Sequence, residues 1–497
     1  MGAVHSVLQK QIIAALGSDD TLYAFAGSTL YQYEDVRRYN LDITTIPLAV
    51  TYPRTTAQVA AIVKIAASAG LKVQPKSGGH SYANYSSPDG GIVIDLKHFQ
   101  RFEMDTTKWF ATVGAGTLLG ELDSRLAPYN RAVAHGTCPQ VGIGGHATIG
   151  GLGPASRLFG TTLDHIEEVE VVLADGSIKR ASAKENTDLF WALRGAAASF
   201  GVITEFILHT HPAPGEMVQF TSSFTKDSWE DMAQAFKVWQ RYVLNQPPNK
   251  FASTATILEA GMSISGMYFG SKEEFKTLMD RADFPIQAQI EKTIVFRDWL
   301  GTVEHWAVEV AVYYGGGLPA HAYTKSLTFG QSEPIPETVI DDMFKYIKTT
   351  KRGTPVWFII FDLAGGAVNE IAMDATAFAH RDALFYLQAY AISLVGPVSD
   401  VTKSFLTGLN KLITGEMRSA GEKTDFGAYA GYVDPELPNP QEKYWGSNLP
   451  RLEELKSVYD AHDVFHNPQS VRPGGKEVLP MRPIVTKKSF WSSLFRR

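Results

Sequence analysis

Apolar residues recur at Val59, Ile62, Val63 and Ala66, the i, i+3, i+4, i+7 stripe of a helix with one buried face. Thr55 and Gln58 read as a capping box in front of that stripe, and Gly70 stands where a C′ glycine ends a helix. Residues 71 to 74 then predict a strand. A second strand, residues 91 to 96, is apolar almost throughout, which suits burial on both faces. Residues 110 to 113 predict a third strand that ends in Gly114-Ala115-Gly116. Residues 169 to 174 run into Asp175-Gly176, a strong hairpin signal. Residues 189 to 204 close the unit. Short helices and strands alternate here without the long, regular spacing of a doubly wound sheet.

From about His211 to Pro450 the pattern changes to strands with a few helices. Ser271 and Glu274 cap one helix, in which Phe275, Leu278, Met279 and Ala282 keep helical spacing. Residues 357 to 363, 383 to 390 and 427 to 433 read as strands of one antiparallel sheet. Strand alternation puts Phe358, Ile360 and Asp362 on one face, and Tyr386, Gln388 and Tyr390 together on one face of the next strand. Tyr429 and Tyr432, three positions apart in such a strand, would point to opposite faces. A sheet covered by helices on one side leaves its other face for a ligand.

The 497 residues, 44% hydrophobic and 20% charged, imply an ordinary globular chain of two domains. A net charge of −6 lacks the basic stripe that nucleic acid would require. No run reaches the ~18 apolar residues of a membrane span. The single cysteine rules out an internal disulfide and, with no secretory leader visible, points to an intracellular protein; a processed, secreted form stays open. Beyond Pro473 six basic residues stand against Glu477 alone, a net +5, in a proline-interrupted tail over residues 476–497. No cluster reads as a metal site.

Two glycine loops carry the chemistry. The first is Pro75-Lys76-Ser77-Gly78-Gly79-His80-Ser81-Tyr82, the second His135-Gly136-Thr137-Cys138-Pro139-Gln140-Val141-Gly142-Ile143-Gly144-Gly145. Paired glycines let a backbone turn sharply and present its N–H groups to phosphate. Each loop holds one nucleophile, the imidazole of His80 and the only thiol, Cys138. Taken alone, His80 could be hydrogen-bonding its own loop and Cys138 could be a small buried hydrophobe. Together the loops resemble those of the flavoprotein oxidases of the vanillyl-alcohol-oxidase type, in the berberine-bridge and glucooligosaccharide oxidase group. The resemblance runs from about Pro53 to Gly201 and resumes near the C-terminus at Phe465-His-Asn-Pro-Gln-Ser-Val471. Ala196 to Ala198 depart from it, standing where the family has glycines.

The resemblance implies an α+β fold: a two-part FAD-binding domain of the PCMH type (residues 1–210 and the return segment 451–475) with an inserted substrate domain (residues 211–450), an antiparallel sheet covered by helices. It implies FAD bonded to His80 through the 8α-methyl and to Cys138 through C6. Lys76, Ser77, Gly78, Gly79, Ser81, Gly142, Gly144, Gly145, His146, Gly201, Val202, Asn467 and Gln469 would surround the cofactor. Tyr82, Ile360 and Gln388 would face the substrate. Tyr432 would be the base, assisted by Asp362. The plainer readings are a tyrosine with a satisfied hydroxyl and a strand-end ion pair.

The activity implied is oxidation of a substrate hydroxyl by hydride transfer to flavin N5, with dioxygen reduced to hydrogen peroxide and an oligosaccharide reducing end as the leading substrate. An aromatic or alkaloid-like metabolite, a dehydrogenase using another acceptor, and a flavin-binding module without catalysis are the alternatives. The second residue before the strand aspartate is Ile360, where carbohydrate oxidases of the family carry glutamine, which favours a substrate with an apolar portion.

Overall fold

The computed structural model describes residues 2–225, 228–281, 288–314, 317–421 and 426–474; the basic tail expected at 476–497 lies outside them. The first expected helix forms as Thr56–Ser68, with Thr55 Oγ1 accepting from the Gln58 N–H. Gln58 does not complete a reciprocal box. Its Oε1 accepts from the Arg54 N–H instead, one residue earlier. Val59, Ile62, Val63 and Ala66 are fully buried, and each of the larger three stabilises the packed state by about 1.5–3 kcal/mol.

The strand after this helix is Val73–Lys76, two residues later than the pattern predicts. The helix end holds the intervening residues: Gly70 has φ +67° and the Leu71 N–H still donates to the Ala66 carbonyl. Val73–Lys76 lies at the edge of a four-stranded sheet, parallel to Ile92–Asp95, so Pro75 removes no ladder bond from an interior strand. The returning chain adds to the same edge, where Phe465 bridges Val73. A five-stranded antiparallel sheet follows, in the order Phe102–Asp105, Phe110–Gly114, Val202–His209, Ile166–Val172, Ile178–Ser182. The hairpin expected at Asp175-Gly176 joins its last two strands. One continuous core unites both sheets with Tyr444, Trp445, Leu452 and Phe465 from the end of the chain.

The larger sheet has seven antiparallel strands among the described residues, ordered Ile290–Phe296, Met217–Thr225, Gly261–Tyr268, Phe251–Leu258, Trp357–Leu363, Ala383–Ser393, His321–Gly330. Helices Trp229–Leu244, Glu337–Thr349 and Asp400–Ser419 cover one face, with Phe236, Phe344 and Phe405 meeting Trp357, Ile359 and Phe361. Alternation then sends Phe358, Ile360 and Asp362 to the opposite face, as their sequence spacing requires. That uncovered face looks onto the glycine loops.

Residues 427–433 do not form the expected strand. Only Gly427 pairs, as a single bridge to Thr328. Beyond it the Tyr432 N–H donates to the Tyr429 carbonyl and closes a turn. The turn brings both tyrosines to one side: their rings meet edge to face, with centroids 5.0 Å apart. The opposite-face expectation fails for that reason.

Candidate active site

One cavity of ≈ 630 Å³ lies between the two glycine loops and the open face of the large sheet, within the usual range for small-molecule and cofactor sites. The loops interlock backbone to backbone. A Cβ on Gly78 would stand 2.5 Å from both the Gln140 carbonyl oxygen and the Gly142 nitrogen, so only glycine fits there. Ser77 ties the loop to the end of strand Phe110–Gly114 by donating to the Ala115 carbonyl. The contact brings His80 Nε2 to 3.7 Å from Cys138 Sγ, although 58 residues separate them.

Burial lowers the pKa of His80 to about 4 and raises that of the Cys138 thiol. At neutral pH the pair is therefore an uncharged imidazole and a thiol. The Tyr39 ring lies 4.2 Å from the His80 ring, centroid to centroid. Tyr82 follows on the same side and stacks on Tyr390, with burial raising its phenol to about 12.

On the sheet side the Tyr432 hydroxyl donates to Asp362 Oδ2 at 2.9 Å. Thr254 Oγ1 donates to Asp362 Oδ1 at 3.2 Å, and Gln388 Nε2 lies 3.5 Å from Oδ2. Burial raises the Asp362 carboxyl above its ordinary value, against the lowering effect of these three partners. Tyr432 is raised well above an ordinary phenol, first by burial and then by the Asp362 charge. Thr254 gave no signal in the sequence, because the register that sets it opposite Asp362 is a long-range pairing.

Ile360 packs with Phe358 and Tyr390 as an apolar wall, directly across the ladder from Gln388. Farther along the sheet Gln219 Nε2 donates to both oxygens of Glu309, 3.0 Å each. Glu309 and Trp306 come from helix Trp299–Tyr314 and line the same cavity. Gln219 stands three strands and two residues from Asp362 by register, about 16 Å at ordinary sheet spacings. Sequence reasoning missed this polar end, since a lone glutamate on a helix carries no motif.

Among the cofactor residues expected from the sequence, Ser77, Gly78, Gly79, His80, Ser81, Cys138, Gly142, Gly144, Gly145, His146, Gly201, Asn467 and Gln469 all line the cavity. Lys76 and Val202 do not. Lys76 points beneath its loop, donating to the Val36 carbonyl at 2.9 Å with Asp95 at 3.9 Å. Val202 is fully buried in the flanking core, while Gly201 and Ile203 on either side face the cavity. Asn84, in the sequence Asn84-Tyr85-Ser86, is buried with its amide donating to the Asn40 and Ile43 carbonyls, which leaves no room for a glycan.

The residues present fit a flavin nucleotide. The N–H groups of Gly78, Gly79, His80 and Ser81 donate to no protein acceptor among the described residues, and all four residues line the cavity. Such a run of free donors suits phosphate or a polar ring edge. Gly145 has open space where a Cβ would be. Ala196 to Ala198 line the cavity in place of glycines, so their methyl groups are accommodated.

Comparison with known proteins agrees. Residues 47–182 match the family described as FAD binding domain, and residues 428–472 match the family described as berberine and berberine like. The chain is 38% identical to FAD-linked oxidoreductase sorD of Penicillium rubens, over 93% of this chain and 98% of that protein. It is 33% identical to xylooligosaccharide oxidase of Thermothelomyces thermophilus, over 88% and 90% respectively. The solved glucooligosaccharide oxidase of Acremonium strictum, whose FAD is described as 6-S-cysteinyl, 8α-N1-histidyl, superposes with a TM-score of 0.83 at 29% identity, covering 93% of this chain and 99% of that one.

Proposed function

This chain belongs to the berberine and berberine-like family of FAD-linked oxidoreductases, and we propose that it oxidises a hydroxyl-bearing carbon on a substrate with an apolar body. Bound FAD would accept the hydride and pass the electrons to dioxygen, giving hydrogen peroxide. His80 and Cys138 would hold it by two covalent links, with Ser77 to Ser81 and Gly142 to His146 as its polar cradle.

The observation that carries this reading is the Tyr432 to Asp362 hydrogen bond, inside the cavity that also holds His80 and Cys138. A free phenol is a poor base near neutral pH. Here the Tyr432 oxygen can take the substrate proton only as its own proton moves to Asp362 Oδ2. Burial supports that transfer, because it makes the Asp362 carboxylate more basic. Gln388 and Thr254 keep the carboxylate aimed at Tyr432. Tyr82, Tyr390 and Ile360, with Phe358 packed behind them, form the wall that excludes water and would pack against the substrate's apolar part. The Glu309–Gln219 end, about 16 Å away by register, would receive a polar terminus.

Polar groups around the cavity and the oligosaccharide oxidases among the relatives support a second reading, oxidation of an oligosaccharide reducing end to a lactone. A substrate panel separates the two. Aryl alkyl alcohols and cellobiose are each mixed anaerobically with the purified yellow protein while flavin absorbance is followed, and peroxide is then measured in air. The proposed reading expects bleaching at low concentrations of the aryl alkyl alcohols and poor turnover of cellobiose. Efficient turnover of cellobiose at low concentration would establish the carbohydrate reading instead.

A further inference from the structure

A charged pair is buried behind the cysteine loop, outside the cavity lining. His135 Nε2 lies 2.9 Å from Asp123 Oδ1, and His135 Nδ1 lies 2.8 Å from the Gly136 carbonyl oxygen. A carbonyl is only an acceptor, and so is an ionised carboxylate, so each ring nitrogen carries a hydrogen and the ring is an imidazolium. The two side chains are 3% and 4% exposed. Burial pulls the His135 pKa down, but Asp123 and the Gly136 carbonyl outweigh it and hold it above the ordinary value.

On the other side of the same glycine, the Gly136 N–H donates to His146 Nε2 at 3.0 Å. His146 is therefore the neutral tautomer with its hydrogen on Nδ1, in keeping with the pKa of about 3 that burial imposes. Both peptides flanking Gly136 are thus gripped, one by a cation and one by a neutral ring, two residues before Cys138. Trp299 Nε1 donates to the same Asp123 oxygen at 3.4 Å. Trp299 opens the helix that carries Trp306 and Glu309 at the far end of the cavity.

Desolvation makes a buried ion pair a weak source of stability, and an apolar pair of similar size often does as well. We propose that Asp123 and His135 are positioning residues for Cys138, fixing the Gly136 peptides so that the sulfur is presented beside His80 for attachment to the flavin. The inference rests on the double-attachment reading. The attachment forms one S–C bond at C6 and removes the thiol hydrogen and the C6 hydrogen as two protons and two electrons. Dioxygen takes these up as hydrogen peroxide, so atoms and electrons balance.

The test is peptide mass spectrometry on purified holoprotein, scored as the fraction of His80 and of Cys138 that carries flavin, together with the absorbance spectrum and melting temperature. Wild type should carry flavin on both. Asp123→Leu with His135→Leu, which removes the grip without leaving a lone charge, should lower Cys138 occupancy at least tenfold while His80 stays modified. Its spectrum should match that of Cys138→Ala. Asp123→Asn with His135→Gln, which can keep the hydrogen bonds, should restore occupancy to within about threefold of wild type. If the double leucine protein does not accumulate, Asp123→Asn with His135→Phe, which also leaves no lone charge, serves the same measurement. Cys138 occupancy within twofold of wild type in the leucine or phenylalanine protein overturns the inference. So does parallel loss at both residues with a lowered melting temperature, which marks a merely structural role. Wild-type protein without flavin on Cys138 overturns the double-attachment reading itself, before any variant is compared.

Discussion

Asp362→Asn should slow the enzyme and stabilise the protein at once, because one buried carboxylate is responsible for both effects. Asparagine has the same shape. Its carbonyl oxygen can still accept from the Tyr432 hydroxyl, now 2.9 Å from Oδ2. Its amide can donate to Thr254 Oγ1, now 3.2 Å from Oδ1, once that hydroxyl rotates to accept. The geometry therefore survives while the proton acceptor is lost. General-base contributions are typically ~10²–10⁴-fold, about 2.7–5.4 kcal/mol of barrier at 1.36 kcal/mol per tenfold. Anaerobic flavin reduction at saturating substrate should fall by that range.

The stability effect has the opposite sign. Burial raises the folded-state pKa of Asp362, so the folded protein holds that proton more tightly than the unfolded chain does. The stability this contributes is fully present below the unfolded pKa and is lost as pH rises through the folded value. The melting temperature of Asp362→Asn, relative to wild type, should therefore climb with pH over that window and level off above it. Wild-type flavin reduction should rise over the same window, as the carboxylate becomes able to accept a proton. Flavin reduction within threefold of wild type, or a melting-temperature difference that does not change with pH, would show that Asp362 is not the buried proton acceptor.

Tyr432→Phe should keep the flavin attached yet slow anaerobic reduction by ~10²–10⁴-fold; a loss below threefold would move the base elsewhere, with Tyr82 next to test. Ile360→Gln places an amide in the wall formed with Phe358 and Tyr390, and should raise kcat/KM for cellobiose while lowering it for an aryl alkyl alcohol, because an unfilled hydrogen-bonding group penalises the apolar ligand. An unchanged ratio of the two would count against the apolar wall as the specificity element. Arg381 binds Asp164 through both terminal guanidinium nitrogens, Nη1 and Nη2, at 2.9 and 2.7 Å, with both side chains buried. Arg381→Met leaves Asp164 unpaired and should cost about 3–5 kcal/mol of stability, read as a lower denaturant midpoint; a midpoint equal to wild type would show that the pair is neutral.

Local periodicity carried much of the architecture. The 3.6-residue stripe of Val59, Ile62, Val63 and Ala66 and the alternation in Trp357–Leu363 were enough to name a helix, a strand and the face that Asp362 shares with Ile360, since side-chain direction follows from the backbone repeat alone. The two glycine loops were legible for a similar reason: close backbone contact admits no Cβ at Gly78, so the requirement is written into the residue type. Lys76 and Val202 were misplaced because a motif match assigns a whole stretch to the cofactor, whereas packing sends the Lys76 side chain to the Val36 carbonyl and the Val202 side chain into the flanking core.

The meeting of distant groups is a product of the folded chain. Tyr432 reaches Asp362 because residues 427–433 leave the sheet after one bridge and turn, which no two-residue repeat announces. His80 and Cys138, Thr254 and Asp362, and Asp123 and His135 are likewise paired by loop contact and strand register. Such pairings are long-range choices of the folded chain. The sequence pattern specifies which faces must be covered, and the packing of those faces selects which polar groups are left to converge on the cavity.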